Sequence, residues 1–568
     1  MTVLLSILLA VFRMVVIPVQ FQDKQFTCTE TELSETVLAA QNYCNEQLGD
    51  MYSFTFDLAP AVTLSKSYSY YGSNFSDRKD ALLYEAVREA CSLSSDNVDF
   101  SLYDNDSDGY VDNIAIIAAG ISEADGASAE NIWPQQGLLQ SSGQSFSMNG
   151  KTINSYTVAC ELTSDGGLDP RPAGIGIFCH ELAHSFGLPD MYDTDETGSG
   201  GLSKGLWGTS LMDTGCKNMD GHCPPNMNAL DLEMLGAGTC EQLTAGNYTL
   251  EPINRSHRYL RYDTENEGEY FLFECREAEG WDAPAGGSGL LIYHVDKSDN
   301  PAGLSDYYGK VLSAAQRWEF GQINCRPDHQ CAEIMSADPD AEDASGIFFP
   351  NGSHDSFGSD TNPAFRSWNG STSGLALIHI SRNSDASVSF SVVEPVKVTD
   401  VSVFQDAAIV NWTTDENLAD NQGYEISWTD GTDTWSMTAD KGMSSCTVEG
   451  LQPQTPYRLT VKLIISEEQK YSASTSFITK VYRTGTYPYI YLSGSSRNAD
   501  GSFVRGAKIP LRIFNASKLA EVEWYFDGRR IKTGSDGYFS LTKDGTLEAV
   551  LTYEDGTREL IKKEIIIR

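Results

Sequence analysis

Basic residues are scarce in this chain. Forty Lys and Arg stand against 79 Asp and Glu in 568 residues, giving a formal net charge of −39 and a pI near 4.4. That balance repels nucleic acid and anionic lipid and favours solubility and divalent cations. Long apolar runs are also missing. The one candidate, MTVLLSILLAVF at the start, lacks a basic n-region and a small-x-small cleavage site and is interrupted by Arg13. It reads as the lead-in to a first buried strand rather than as a signal peptide or membrane span, and a leader is expected upstream of this start. CxxC spacing is absent among the twelve cysteines, which argues against a second metal site at Cys216, His222 and Cys223. The close pairs Cys216/Cys223 and Cys325/Cys331 are instead expected to clip small loops as disulfides, implying an oxidising compartment.

A chain of 568 residues exceeds one core and should divide into three or four domains. With 40% hydrophobic and 11% aromatic residues it suits a folded, strand-rich extracellular protein. RMVVIPVQFQD runs as a buried strand, and TETELSETVLAAQNYCNEQLG has helical spacing behind a Thr start. YSFTFDLAPAVTLSKSYSYYG is expected to be a strand hairpin. DRKDALLYEAVREACSL is expected to be a second helix, with Asp near its start and Arg near its end to match the helix dipole.

The acidic segment DNDSDGYVDN then places Asp104, Asp106, Asp108, Gly109 and Asp112 at positions one, three, five, six and nine of a calcium loop, with the carbonyl of Tyr110 completing the set. Ala115 stands where an EF-hand carries its twelfth-position Glu, and the strand IAIIAAG comes next instead of a helix. The expectation is a structural Ca²⁺ loop joining helix to strand, because carboxylates this close repel without a cation.

After the Gly-rich approach SDGGLDPRPAGIG comes HELAHSFGLPD. His180 and His184 are i and i+4 on a helix, so both rings reach one Zn²⁺, and Glu181 sits beside them as the base for an attacking water. Gly187 lets the chain leave the helix, and a turn there returns Asp190 as a third ligand, with a fourth position open for water. Glu233 in NALDLEMLG is the alternative third ligand, as a Glu from a later helix. Tyr192 and His222 lie near the expected cleft in sequence and are the weaker candidates for oxyanion stabilisation.

HELAHSFGLPDMYD, preceded by YDNDSDGYVDNIAIIAAG and followed by LWGTSLMDTG and PPNMNALDLEMLG, resembles the secreted immune inhibitor A family of zinc metallopeptidases, which are metzincin-like. The resemblance covers about residues 13–393. It implies His180, His184 and Asp190 as zinc ligands, Glu181 as catalytic base, and Met212 as the turn methionine beneath the metal. Gln135 stands where relatives often carry His.

From 241 to 394 the chain reads as strands and turns, and His294 and His329 there are expected to pack or hydrogen-bond rather than ligate. Residues 395–480 resemble a fibronectin type III module with Trp412 in its core and Tyr457 at its corner, near Leu451 and Pro453. Residues 484–568 read as an Ig-like sandwich with Asp-Gly turns, in which Trp524 packs. The expected architecture is therefore multidomain. A mixed α/β, metzincin-like catalytic domain over 1–240 is followed by a β-rich domain and two β-sandwich modules. The function expected is a secreted or surface-exposed zinc metalloendopeptidase acting on proteins or peptides. The competing class is an inactive surface adhesin or glycan-binding protein that keeps the fold.

Overall fold

The computed structural model describes residues 10–75, 78–466, 470–480, 488–492, 502–531 and 538–568. The first nine residues of the apolar lead-in, and the Asp536-Gly537 turn of the last module, lie outside them. Strand β1 (Ala10–Gln20) organises the first part of the chain. It pairs in parallel with its neighbours on both sides, so its two faces are both covered and nearly every side chain is apolar. Met14 and Val16 face one hydrophobic cluster while Val15, Ile17 and Val19 face another.

Helix α1 (Glu30–Leu48) comes next, opened by a capping box in which Thr29 accepts from the Glu32 N–H and the Glu32 carboxylate accepts from the Thr29 N–H. Strand β2 (Tyr52–Leu58) does not turn back as a hairpin. Both it and the short Val62–Thr63 strand pair in parallel with β1, because the Ala59 N–H donates to the Val16 carbonyl and keeps the chain against the same strand across Pro60. Helix α2 (Leu83–Ser94) covers the second face of β1, and its N-cap Leu82 makes no side-chain cap. The Asp near its start, Asp80, is buried and bonds elsewhere.

Strands β3 (Ile114–Ile121), β4 (Gln135–Leu138), β5 (Ser155–Asp165) and β6 (Leu168–Pro172) complete the sheet, with the order β6-β5-β3-β1-β2. β4 and β6 both run antiparallel along the outer side of β5, β4 against Ser155–Val158 and β6 against Leu162–Asp165. Helix α3 (Gly176–Ser185) packs Phe178, Cys179, Leu182 and Ala183 into the cluster shared with α1, Met14 and Val16. Helix α4 (Ala229–Leu235) joins the same cluster.

A second sheet runs in the order β7 (Thr239–Gln242), β8 (Arg258–Asp263), β9 (Glu269–Arg276), β10 (Gly289–Asp296) and β11 (Ala332–Ile334). It adds Tyr270, Leu272, Leu291, Tyr293 and Val295 to that cluster, and the compact unit comprises Met1–Asp355 and His379–Phe390. His294 bonds Glu269 at 2.8 Å and His329 bonds Asp296 at 2.8 Å, and neither joins a metal-like group among the described residues.

Ser356–Ile378 and Ser391–Arg568 form the other unit. There a three-stranded and a four-stranded sheet enclose Trp412, 2% exposed, and the Gln452 N–H donates to the Tyr457 hydroxyl at 3.0 Å, fixing a corner beside Leu451. The last strands form a four-stranded sheet and two short pairs around Leu547, Ala549 and Leu551, with Trp524 packed against them.

All twelve cysteines are free, which corrects the disulfide expectation. Cys223 donates to the Gly280 and Trp281 carbonyls, while Cys216 is buried beside His180. Cys325 lies 3.2 Å from the Thr194 hydroxyl, and Cys331 packs in the core. Short sequence spacing brought neither pair together, so cysteine usage carries no argument for an oxidising compartment. No described helix is long and apolar enough to cross a membrane.

Candidate active site

Helix α3 starts where the chain passes very close to the loop after Met212. A Cβ on Gly176 would lie 1.9 Å from the Cys216 carbonyl oxygen, so only glycine allows the approach. The helix ends at Gly187, whose φ of +94° sits in the left-handed region and whose N–H donates to the His184 carbonyl. That turn returns Asp190 to the helix face. Asp190 Oδ1 lies 3.1 Å from His180 Nε2 and 3.3 Å from His184 Nε2.

Backbone carbonyls set the orientation of both rings. His180 Nδ1 donates to the Leu211 carbonyl at 2.9 Å and His184 Nδ1 to the Leu188 carbonyl at 2.6 Å. A carbonyl only accepts, so Nδ1 carries a proton in both rings, and Nε2 is the atom left to meet a metal, which would displace any proton there, as in histidines that bind metals. Asp190 Oδ1 is buried with no hydrogen bond aligned on it, although two ring nitrogens are near. Three ligand atoms, two nitrogens and one oxygen, thus converge, and this set fits a divalent metal ion.

The polypeptide after Met212 holds both halves of this arrangement. Met212 is fully buried, its carbonyl accepts from the Met191 N–H at 2.8 Å, and the adjoining Leu211 carbonyl holds His180. Asp213 fastens the turn by accepting from the Leu206 and Thr214 N–H groups. Burial opposes ionisation of Asp190, but the two imidazoles outweigh it and hold its carboxyl below the usual range. Burial likewise works against a charged His180, yet Asp190 and Cys216 keep its pKa well above the ordinary value. Glu181 is 7% exposed, and burial raises its carboxyl, with the Gln136 N–H of β4 offsetting part of the shift.

Residues 18–233 match the family described as Immune inhibitor A peptidase M6, catalytic domain, and residues 391–478 match the fibronectin type III domain. The chain carries a peptidase M6 domain. The pre-pro-metalloprotease PrtV of Vibrio cholerae serotype O1 is 29% identical to it over 217 residues, which cover 33% of this chain and 23% of PrtV. Immune inhibitor A of Bacillus thuringiensis subsp. alesti is 24% identical over 223 residues, covering 34% of this chain and 32% of that protein. The chain spans no more than about a third of the length of these relatives.

Within the M6 domain, Glu233 is occupied elsewhere. It pairs with Arg261 at 2.6 Å and accepts from the Tyr270 hydroxyl at 3.1 Å, so the structure brings Asp190 and not Glu233 to the two histidines. The Tyr192 ring lies 6.4 Å from the His180 ring and flanks the site. His222 lines a neighbouring cavity of about 770 Å³ whose wall contains neither Glu181 nor the three ligand candidates.

In the acidic loop, one oxygen each from Asp104, Asp106 and Asp108 cluster within 4.8 Å of one another. Lys151 Nζ contacts Asp104 at 2.5 Å. Asp112 is not part of that cluster, and its Oδ2 accepts from the Asn105 N–H at 2.6 Å and side-chain amide at 2.9 Å, while the Tyr110 N–H donates to Asp108. The carbonyls that orient the histidines escaped sequence reasoning, since Leu211 lies 31 residues beyond His180 and carries no chemical label.

Replacing Gly176 by Ala is expected to destabilise the first unit by ~2–3 kcal/mol, because the new methyl group meets backbone and cannot rotate away. Thermal unfolding checks this, and an unchanged Tm would mean that the helix and the loop after Met212 are not in this close contact.

Proposed function

We propose that the M6 domain is a zinc-dependent endopeptidase acting on protein substrates, with His180, His184 and Asp190 as zinc ligands and Glu181 as general base. The observation that carries this reading is the convergence of His180 Nε2, His184 Nε2 and the orphaned Asp190 Oδ1 beside a buried carboxylate. Met212 is the turn methionine in this reading, which makes the domain metzincin-like.

Zinc, when bound, supplies Lewis acidity that polarises the scissile carbonyl and acidifies the attacking water. The chain's own residues do the rest. The Leu211 and Leu188 carbonyls hold both imidazoles in one tautomer, so Nε2 stays available. Glu181 takes the proton of the attacking water and delivers it to the leaving amine. Its burial favours the protonated form, which suits a group that must first accept that proton and then release it.

We assign residues 1–240 to the catalytic domain, 241–394 to a β-rich domain, 395–480 to a fibronectin type III-like sandwich and 484–568 to an Ig-like sandwich. The acidic balance and the M6 resemblance support a place outside the cytoplasm.

Glu181→Ala is expected to keep about one zinc per chain and to lower kcat/KM on casein by roughly 10²–10⁴-fold. If the native chain loads zinc yet cleaves neither casein nor peptide libraries, the peptidase reading fails and the surface-adhesin reading replaces it. For the third ligand, Asp190→Ala should lose zinc by atomic absorption while Glu233→Gln retains it, and the reverse result would move the oxygen ligand to Glu233.

The Asp104, Asp106 and Asp108 cluster supports a calcium loop, with Asp112 and the Tyr110 carbonyl as the further ligands in this reading. A cation there competes with Lys151 for Asp104. At a calcium concentration a hundredfold above Kd, binding adds about 2.7 kcal/mol, so Tm should rise by several degrees. A Tm insensitive to calcium would overturn the calcium reading of this loop.

A further inference from the structure

Asp80 combines three unfavourable features at one position. Its side chain is 5% exposed, its backbone φ of +44° lies in the left-handed region, and its Oδ1 is buried without a partner. The other oxygen is fully engaged. Asp80 Oδ2 accepts from the Trp133 N–H at 2.7 Å and from the Gln135 side-chain amide at 3.0 Å. The same segment is steadied from two further directions, with the Lys79 ammonium 3.2 Å from the centre of the Trp133 ring and the Asn74 amide donating to the Ala129 carbonyl. Asp80's own N–H donates to Asn74 Oδ1, which fixes the carboxylate's position.

Gln135 is the first residue of β4, the strand that runs antiparallel along β5 beside the helix of the active site. Its neighbour Gln136 faces Glu181. We infer that Asp80 is a positioning residue: its buried carboxylate fixes the entry of β4 so that this strand meets Glu181 in one register, although Asp80 touches neither Glu181 nor a ligand candidate. The inference rests on the peptidase reading for its kinetic consequence, but its structural consequence stands apart from it.

Strain and an uncompensated buried charge persist where the surrounding fold over-determines them, and such residues concentrate at functional sites. Burial pushes the Asp80 carboxyl up to about 7, with nearby Glu123 adding to the shift and the Trp133 and Gln135 bonds and Lys79 opposing it. Tyr68, Tyr156 and Cys160 are the other titratable groups facing it. The folded state therefore binds this proton more tightly than the unfolded chain does. Stability at this site is greatest below the unfolded-state pKa and falls as pH rises towards 7. A neutral side chain here should stabilise the protein at pH 8, whereas loss of an ordinary structural carboxylate would destabilise it.

Asp80→Asn and Asp80→Ala in the full chain test this by zinc content, Tm at pH 8, kinetics on a short peptide and amide exchange at Gln135–Leu138. Zinc should be unchanged in both. Asp80→Ala should lower kcat by about tenfold or more, with KM within about twofold, and speed exchange across β4. Asp80→Asn, which keeps one acceptor oxygen, should restore most of the activity and raise Tm. Wild-type kcat and exchange in Asp80→Ala would overturn the inference. So would a fall in Tm in both variants with activity per folded molecule unchanged, the pattern of a merely structural residue. If the wild-type chain loads zinc and cleaves nothing, the peptidase reading fails instead, and the exchange rates alone still decide whether Asp80 holds β4.

Discussion

The hydrogen bond from His180 Nδ1 to the Leu211 carbonyl joins the helix to a segment 31 residues farther along the chain. It fixes a proton on Nδ1 of that ring and ties the ring to the residue before the buried Met212. One residue later the Met212 carbonyl accepts from Met191, the residue after Asp190, so the same turn holds the oxygen ligand candidate. Neither contact is strong alone, since a net hydrogen bond contributes about 1 kcal/mol. Their effect is geometric. A helix delivers two imidazoles four residues apart, but the third atom reaches them only because Gly187 breaks the helix and the Met212 turn holds Met191 in place.

That turn is itself supported from the second sheet. Arg276, fully buried, pairs with Glu274 at 2.8 Å and Asp282 at 2.5 Å, and Glu274 accepts from the Ala229 N–H at the start of α4. Asp282 holds Asn226, whose amide oxygen accepts from Gln47 of α1, and Arg276 reaches the Thr209 carbonyl just before the turn. Two carboxylates and a guanidinium out of water carry a large desolvation cost, and removal of any one partner leaves an uncompensated buried charge worth about 3–5 kcal/mol. The network therefore specifies one arrangement of helix, turn and sheet more than it adds stability. It also ties the sheet that follows residue 240 to the helices before it.

How much was legible in the sequence depends on how local each signal is. The period of β1, the Thr29 and Glu32 capping box, and the spacing of His180, Glu181 and His184 are properties of neighbouring residues, and each element formed where its pattern lay. Gly187 pointed to Asp190 because a helix has no reason to hold glycine there unless it ends. The misreadings share the opposite cause. Tyr52–Leu58 and Val62–Thr63 look like two halves of a hairpin, but their partner is β1, more than thirty residues earlier. The cysteine pairs are close in sequence, yet Cys223 bonds the Gly280 and Trp281 carbonyls and Cys325 lies against the Thr194 hydroxyl. Asp80 looks like a helix-start acid, and only the fold turns it inward to Trp133 and Gln135.

The scarcity of cationic side chains acquires a physical meaning from where some of them sit. Arg276 is buried among carboxylates, and Arg317, also fully buried, donates to the backbone carbonyls of Ala302, Gly303, Leu304 and Gln322. Charges taken inside in this way cannot offset the exposed Asp and Glu, so the acidic excess acts outward. At physiological salt the field of exposed charges extends about 8 Å, which is long enough to enrich divalent cations near the surface and too short to act across the molecule. The acidic excess of the chain as a whole therefore favours divalent cations in the solvent around it. The same field opposes the approach of acidic macromolecules.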